Sequence, residues 1–168
     1  LEIAEVFNRW NEGELQSYLV QITGKALEQI DPETGHPIVE RILDKAGQKG
    51  TGQWTLVNAA EQAVVISTIN AAVEARVLSS QKAQRVAASQ ILQGPTTPWT
   101  GDQAARDALV AKIHDALYAA KVISYAQGLD LVRSMSAHKG WDIDLGGLAS
   151  IWRGGCIIRA RFLNHITD

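Results

Sequence analysis

A single cysteine, Cys156, in 168 residues rules out a disulfide within the chain and fits a reducing compartment such as the cytoplasm. Flanked by Gly155 and Ile157, it reads as a small structural thiol rather than a nucleophile. Four histidines, His36, His114, His138 and His165, stand far apart without ligand spacing, so no metal site is expected. No apolar run approaches the ~20 residues a membrane span requires, and the first residues carry Glu2 and Glu5, unlike a signal peptide. The net charge of −2 leaves no basic footprint for nucleic acid. Prolines number only four, at positions 32, 37, 95 and 98, so long stretches are free to be helical. With 46% hydrophobic and 20% charged residues the chain has the composition of one ordinary globular domain, long enough to bury a core.

What is present is almost wholly helical pattern. From Asp102, an expected N-cap, apolar or small positions 109, 113, 116, 117, 120, 123 and 124 recur at intervals of mostly three and four. This predicts one long central helix reaching at least Gln127 and, through a tolerated Gly128, extending toward Ala137. Further helices are expected over Glu2 to Trp10, Glu14 to Gln29, Ile38 to Lys45, Ala60 to Leu78, Gln81 to Gln93, Leu145 to Arg153 and Cys156 to His165. Breaks are expected at Gly13, Asp31 to Gly35, Gly47 to Gly52 and Gly94 to Pro98. Alanines 71, 72 and 75 on one helix and 116, 119 and 120 on another suit close helix approach. The five tryptophans read as core or interface anchors.

One stretch has chemical character. Ala46-Gly47-Gln48-Lys49-Gly50-Thr51-Gly52-Gln53-Trp54-Thr55 sets a cation and a hydroxyl among three glycines, as a loop needs if its backbone is to approach an anion. It is not a P-loop: Lys49 precedes Gly50 and Thr51, and the residues before it read as helix rather than strand. The alternative is a helix C-cap at Gly47 followed by a turn.

The run Lys49 to Thr55, Ala75-Arg76 with Ser79-Ser80, Ile123-Ser124-Tyr125-Ala126-Gln127-Gly128 and Trp152-Arg153-Gly154-Gly155-Cys156-Ile157-Ile158-Arg159 together resemble the helical domain of the 6-phosphogluconate dehydrogenase family. The resemblance extends to Phe7 to Leu15 and the Gln93-Gly94-Pro95 turn, and so covers essentially the whole chain. It implies an all-α multi-helix domain, residues 1–168, that binds substrate and forms a homodimer. The implied enzyme oxidises 6-phosphogluconate at C3 with NADP, without a metal, and the β-keto acid loses carbon dioxide to give ribulose 5-phosphate. By this likeness Lys49, Thr51 and Arg76 hold the substrate phosphate. The apolar run before Arg76, with Val64, Val65, Ile69, Ala72 and Val73, places it on or beside a helix expected to be largely buried.

No strand followed by Gly-x-Gly-x-x-Gly is present, so the dinucleotide-binding domain is expected outside this chain. By the same resemblance, the family's catalytic lysine and glutamate are expected upstream of Leu1, and its tail beyond Asp168. No catalytic residue is assigned here, and the chain is expected to be an inactive piece of a longer product. Two other readings remain open: a helical assembly module without catalysis, or a related β-hydroxyacid dehydrogenase acting on a smaller acid.

Overall fold

The computed structural model describes residues 2–168, and among them no β-strand forms. Eight α-helices follow in order: α1 (Glu2–Glu12), α2 (Tyr18–Glu28), α3 (Thr51–Glu61), α4 (Ser67–Ser80), α5 (Lys82–Ser89), α6 (Gln103–Lys139), α7 (Leu145–Ile151) and α8 (Asn164–Thr167). The all-α expectation, with one long helix, holds.

The long helix α6 begins where its cap requires. Asp102 is extended, and its carboxylate accepts from the Ala105 amide at 2.8 Å. At 37 residues, α6 spans about 55 Å at the usual rise per residue. It passes through Gly128 and ends at Gly140, whose φ of 65° is the left-handed C-cap glycine adopts readily. His138 and Lys139 in the last turn offset the negative end of the helix dipole.

Elsewhere tertiary pairing shortens or splits the expected helices. The stretch expected from Glu14 becomes helical only at Tyr18, because Ser17 is drawn into an antiparallel bridge with Ala160. The Tyr18 amide donates to the Arg159 carbonyl at 3.0 Å and the Arg161 amide to that of Gln16 at 2.9 Å. The same bridge prevents a continuous helix from Cys156 to His165. Gly155 turns left-handed, and only a 3-10 turn, Arg161–Leu163, and short α8 follow.

Ile38 to Lys45 is not an α-helix either: a 3-10 turn, Ile38–Arg41, gives way to irregular chain. The span from Ala60 to Leu78 is two helices, since Ala63 sits at φ 53° and reverses the chain between α3 and α4. The stretch expected from Gln81 to Gln93 is helical only as α5, and that expected from Leu145 to Arg153 ends at Ile151.

The core is small: Ala4, Leu15, Val20, Ala59, Ile66, Ala149 and Leu163 are the buried apolar residues. Helices α1 and α2 pack closely because α2 carries Gly24, where a Cβ would lie 2.3 Å from Asn8 Oδ1. Contrary to the core reading of the tryptophans, Trp54, Trp99 and Trp141 are exposed. Helix α4 buries none of its residues, and the alanine faces at 71, 75, 116 and 119 are exposed too. Ala72 and Ala120 instead line a cleft of about 690 Å³ with Lys121, Tyr125 and Trp152. Small side chains permit close approach but bury little area, so they cannot by themselves draw two helices together. No helix among the described residues is long and apolar enough to cross a membrane.

A methyl group at Gly24 must displace the Asn8 side chain, which also donates to Glu28. Gly24→Ala is expected to lower stability by about 1–3 kcal/mol through overpacking, measured as a fall in the urea midpoint at unchanged m-value.

Candidate functional site

The glycine-rich stretch is not a free loop. Its second half is the first turn of α3, and its three glycines have three different jobs. Gly50 is the N-cap at φ 99°, a conformation that L side chains rarely adopt. Gly52 lies where α3 meets α4: a Cβ there would come 2.9 Å from Val73 Cγ2. Gly47 has no positive φ and open space around its α-carbon. What it supplies is its carbonyl oxygen, which accepts from Arg76 Nε at 3.0 Å and also from Arg76 Nη2. The helix C-cap alternative for Gly47 fails, since irregular chain precedes it.

The structure thus brings Arg76, on α4, to a point two residues before Lys49, with Thr51 following as the first residue of α3. All three side chains belong to exposed residues, which corrects the expectation of a buried helix under Arg76. The reason is that α4 rests on the fold through few contacts and polar ties rather than through a packed face. Lys49 forms no ion pair among the described residues. The first intrahelical bond of α3 runs from the Trp54 amide to the Gly50 carbonyl at 3.0 Å. The amides of Thr51, Gly52 and Gln53 therefore point out of the helix N-terminus as unused donors. No acidic side chain occupies this first turn, so the positive end of the helix dipole is uncompensated. A helix N-terminus, a lysine and a bracing guanidinium together can bind an anion.

Contacts with no local signal in the sequence hold the loop in place. The Ala46 amide donates to Ser79 Oγ at 3.0 Å. Arg85, on α5, gives Nη1 to Asp44 Oδ2 and Nη2 to the Asp44 carbonyl, each at 2.9 Å, and Nη2 also reaches the Ser79 carbonyl at 3.1 Å. The Arg85 guanidinium, by hydrogen bond and then by charge, holds the Asp44 carboxyl below the usual carboxylate range. Ser79 was visible within a motif, but a partner 41 residues away for Asp44 was not.

Two clefts flank α3. One of about 480 Å³ runs along α4 by Gln48, Gln53, Asn70 and Val73. The other, about 470 Å³, lies between Thr51, Trp54, Leu131 and Trp141. The larger Lys121 cleft does not include the site residues. Burial there pushes the Lys121 ammonium down from its ordinary value, and its Nζ has no hydrogen-bond partner.

With this geometry in view, the fold is that of an all-helical domain with a candidate anion site at the N-terminus of α3. The profile of the 6-phosphogluconate dehydrogenase C-terminal domain matches residues 1–168, and the chain belongs to that family. It is 51% identical over 167 residues to the decarboxylating 6-phosphogluconate dehydrogenase of Schizosaccharomyces pombe, covering 99% of this chain and 33% of that protein. With the Synechococcus elongatus enzyme of the same name it shares 52% over 168 residues, covering 98% and 35%. Among solved structures it is similar to Plasmodium falciparum 6-phosphogluconate dehydrogenase at 42% identity and a TM-score of 0.89, covering 98% of this chain and 35% of that one. The Plasmodium protein has been solved apo, with its cofactor NADP+ and with its substrate 6-phosphogluconate. The chain spans about a third of the length of these relatives.

The glycines separate by role under substitution. Gly47→Ala is expected to be close to neutral, whereas Gly50→Ala should cost about 1–2 kcal/mol for a left-handed non-glycine residue. Gly52→Ala should push α4 away and raise amide exchange across α3 and α4. For Asp44, a depressed pKa means that the tie to Arg85 contributes stability above the ordinary carboxylate pKa of 3.8, and that this is lost as pH falls through the lowered value. A carboxyl-detected NMR titration should place Asp44 below 3.8, and Arg85→Leu should return it to the normal range.

Proposed function

We propose that this chain is the substrate-phosphate-binding and dimer-forming portion of a cytoplasmic, NADP-dependent oxidoreductase that oxidatively decarboxylates 6-phosphogluconate to ribulose 5-phosphate and carbon dioxide. The observation that carries the reading is Lys49 and Thr51 at the N-terminus of α3, with Arg76 braced on the Gly47 carbonyl of the same loop.

A phosphate monoester carries about −1.5 to −2 charge near neutral pH. Lys49 contributes a point charge, and the helix amides and Thr51 hydroxyl contribute neutral donors that need no reorganisation. Arg76 has Nη1 left for a phosphate oxygen, because its other two nitrogens serve the loop. A guanidinium committed in this way is preorganised: its rotamer entropy has been spent before the ligand arrives. Holding the phosphate fixes the far end of the sugar acid and so orients C3 and the carboxylate toward groups supplied elsewhere.

NADP, when bound, accepts the hydride from C3. In this reading the cofactor is held mainly by a dinucleotide-binding domain elsewhere in the enzyme, which the lack of a strand–Gly-x-Gly-x-x-Gly–helix unit among the described residues supports. No residue here is assigned as general acid or base. A smaller, unphosphorylated β-hydroxyacid would leave Lys49 without a counter-charge, which favours the phosphorylated substrate.

The reading is tested on the full-length enzyme, with NADPH formation followed on 6-phosphogluconate and on gluconate as the unphosphorylated control. Activity confined to the phosphorylated acid is expected. Lys49→Ala and Arg76→Ala should each remove roughly 2–5 kcal/mol of interaction and raise KM more than they lower kcat, because the phosphate lies away from the reacting carbon. The 168-residue chain alone should give no NADPH above background. An unchanged KM in Arg76→Ala would leave that residue a brace only. Full retention of self-association with no change in KM in either variant would favour a helical assembly module, which the exposed Val65, Ile91 and Ile151 side chains also suit.

A further inference from the structure

Helix α4 carries Arg76, yet nothing in its own sequence starts it well. Its N-cap position is Ile66, at φ −130° and ψ 42°, with no side chain that can accept a hydrogen bond. None of its residues is buried, so apart from Val73 against Gly52 of α3 packing does little to fix its position along or about its axis. An α-helix leaves its first N–H groups unpaired, and such groups need an acceptor from somewhere.

Here the acceptor comes from the middle of α6. Gln127 Oε1 takes the backbone amides of Thr68 at 3.1 Å and Ile69 at 3.3 Å. The other half of the same amide, Nε2, donates to Ser67 Oγ at 3.1 Å. One side chain, 58 to 60 residues away in sequence, performs the whole of an N-cap for another helix. At the opposite end of α4, Arg76 grips the Gly47 carbonyl and Ser79 takes the Ala46 amide. The helix is therefore pinned at both ends by polar contacts, and the two sets of pins are about 12 Å apart at the usual rise per residue. A one-residue slip or a turn about the axis at the Gln127 end carries Arg76 with it.

We propose that Gln127 is a positioning residue for the anion site: by capping α4 it sets where Arg76 stands relative to Lys49 and Thr51. This rests on the anion-binding reading given above. Gln127 itself touches no ligand. Its effect passes through α4, whose rigidity converts a cap into a placement of the guanidinium. The side-chain requirement is specific. An acceptor is needed for two amides and a donor for one hydroxyl, at the reach of a carboxamide one methylene longer than that of asparagine. Glu keeps the acceptor and suits a helix N-terminus by charge, while Leu keeps the approximate volume and loses both functions.

The test uses the full-length enzyme, isotopically labelled and titrated with 6-phosphogluconate while the amide resonances of α3 and α4 are followed. In the unsubstituted enzyme, saturable shifts are expected at Thr51, Gly52 and Gln53. Gln127→Leu should speed hydrogen exchange at Thr68 and Ile69 and weaken the titration by about fivefold, the lower range of coupling between linked sites. Gln127→Glu should recover most of both. Gly24→Ala, which loosens the remote α1–α2 contact, serves as a control for general destabilisation and should leave the titration unchanged. If the unsubstituted enzyme gives no saturable shift, the anion-site reading fails and the inference with it. Should the unsubstituted enzyme bind and Gln127→Leu bind equally well, the positioning role alone is overturned. Equal weakening in Gly24→Ala overturns it as well.

Discussion

The carbonyl oxygen of Gly47, accepting two N–H groups of the Arg76 guanidinium, is the contact on which the site's arrangement depends. It joins an irregular segment with no hydrogen-bonding pattern of its own to a helix that buries no side chain. The Ala46 amide on Ser79 Oγ is a second tie between the two. The Asp44 carbonyl, the Ala46 amide and the Gly47 carbonyl are satisfied by Arg85, Ser79 and Arg76 respectively. That is why this stretch does not continue the helical turn begun at Ile38. Side chains from two helices take the place of an intrahelical ladder.

This arrangement divides labour between Arg76 and its neighbours. Under the proposed anion site, a cation whose position is set by a protein carbonyl would lose little freedom when a ligand arrives, whereas Lys49, exposed and without an ion pair among the described residues, would adapt to it. The α3 N-terminus contributes a fixed field between them. Close approach of α3 to α4 depends on Gly52 against Val73, so the glycine that reads as a phosphate-cradle residue is a packing residue. Of the three glycines only Gly50 is required by backbone conformation.

Elsewhere the Lys121 cleft shows the same economy of apolar contact. Alanines on α4 and α6 leave space between the helices, and Lys121, whose buried ammonium has no hydrogen-bond partner, lines the cleft. The two helices are linked by the Gln127 amide instead. Polar contacts at helix ends, rather than a broad buried seam, define how α4 sits on α6.

Periodicity, caps and breakers were enough to read α6 from the sequence, including Asp102 as its cap, because those signals are local and no distant segment competes for its backbone. They also sufficed to mark the Lys49–Thr51 stretch as a place where chain and charge suit an anion. Local signals misread the residues from Ile38 to Lys45, the join between α3 and α4, and the chain after Cys156. In the first and last, side chains or strands-length pairing from distant segments claim the backbone: Arg85 at Asp44, and Ser17 at Ala160. At the join, a left-handed alanine makes a turn that alanine's helix propensity argues against. What the sequence determined by itself was the helical class, the long helix and the identity of the candidate anion ligands. Only the tertiary structure decided that Arg76 meets the loop at Gly47, that Gly52 packs rather than cradles, and that Gln127 caps a helix far from it in sequence. Each of those depends on groups 21 to 60 residues apart finding one another, and hydrogen-bond geometry between distant groups leaves no periodic trace in the chain.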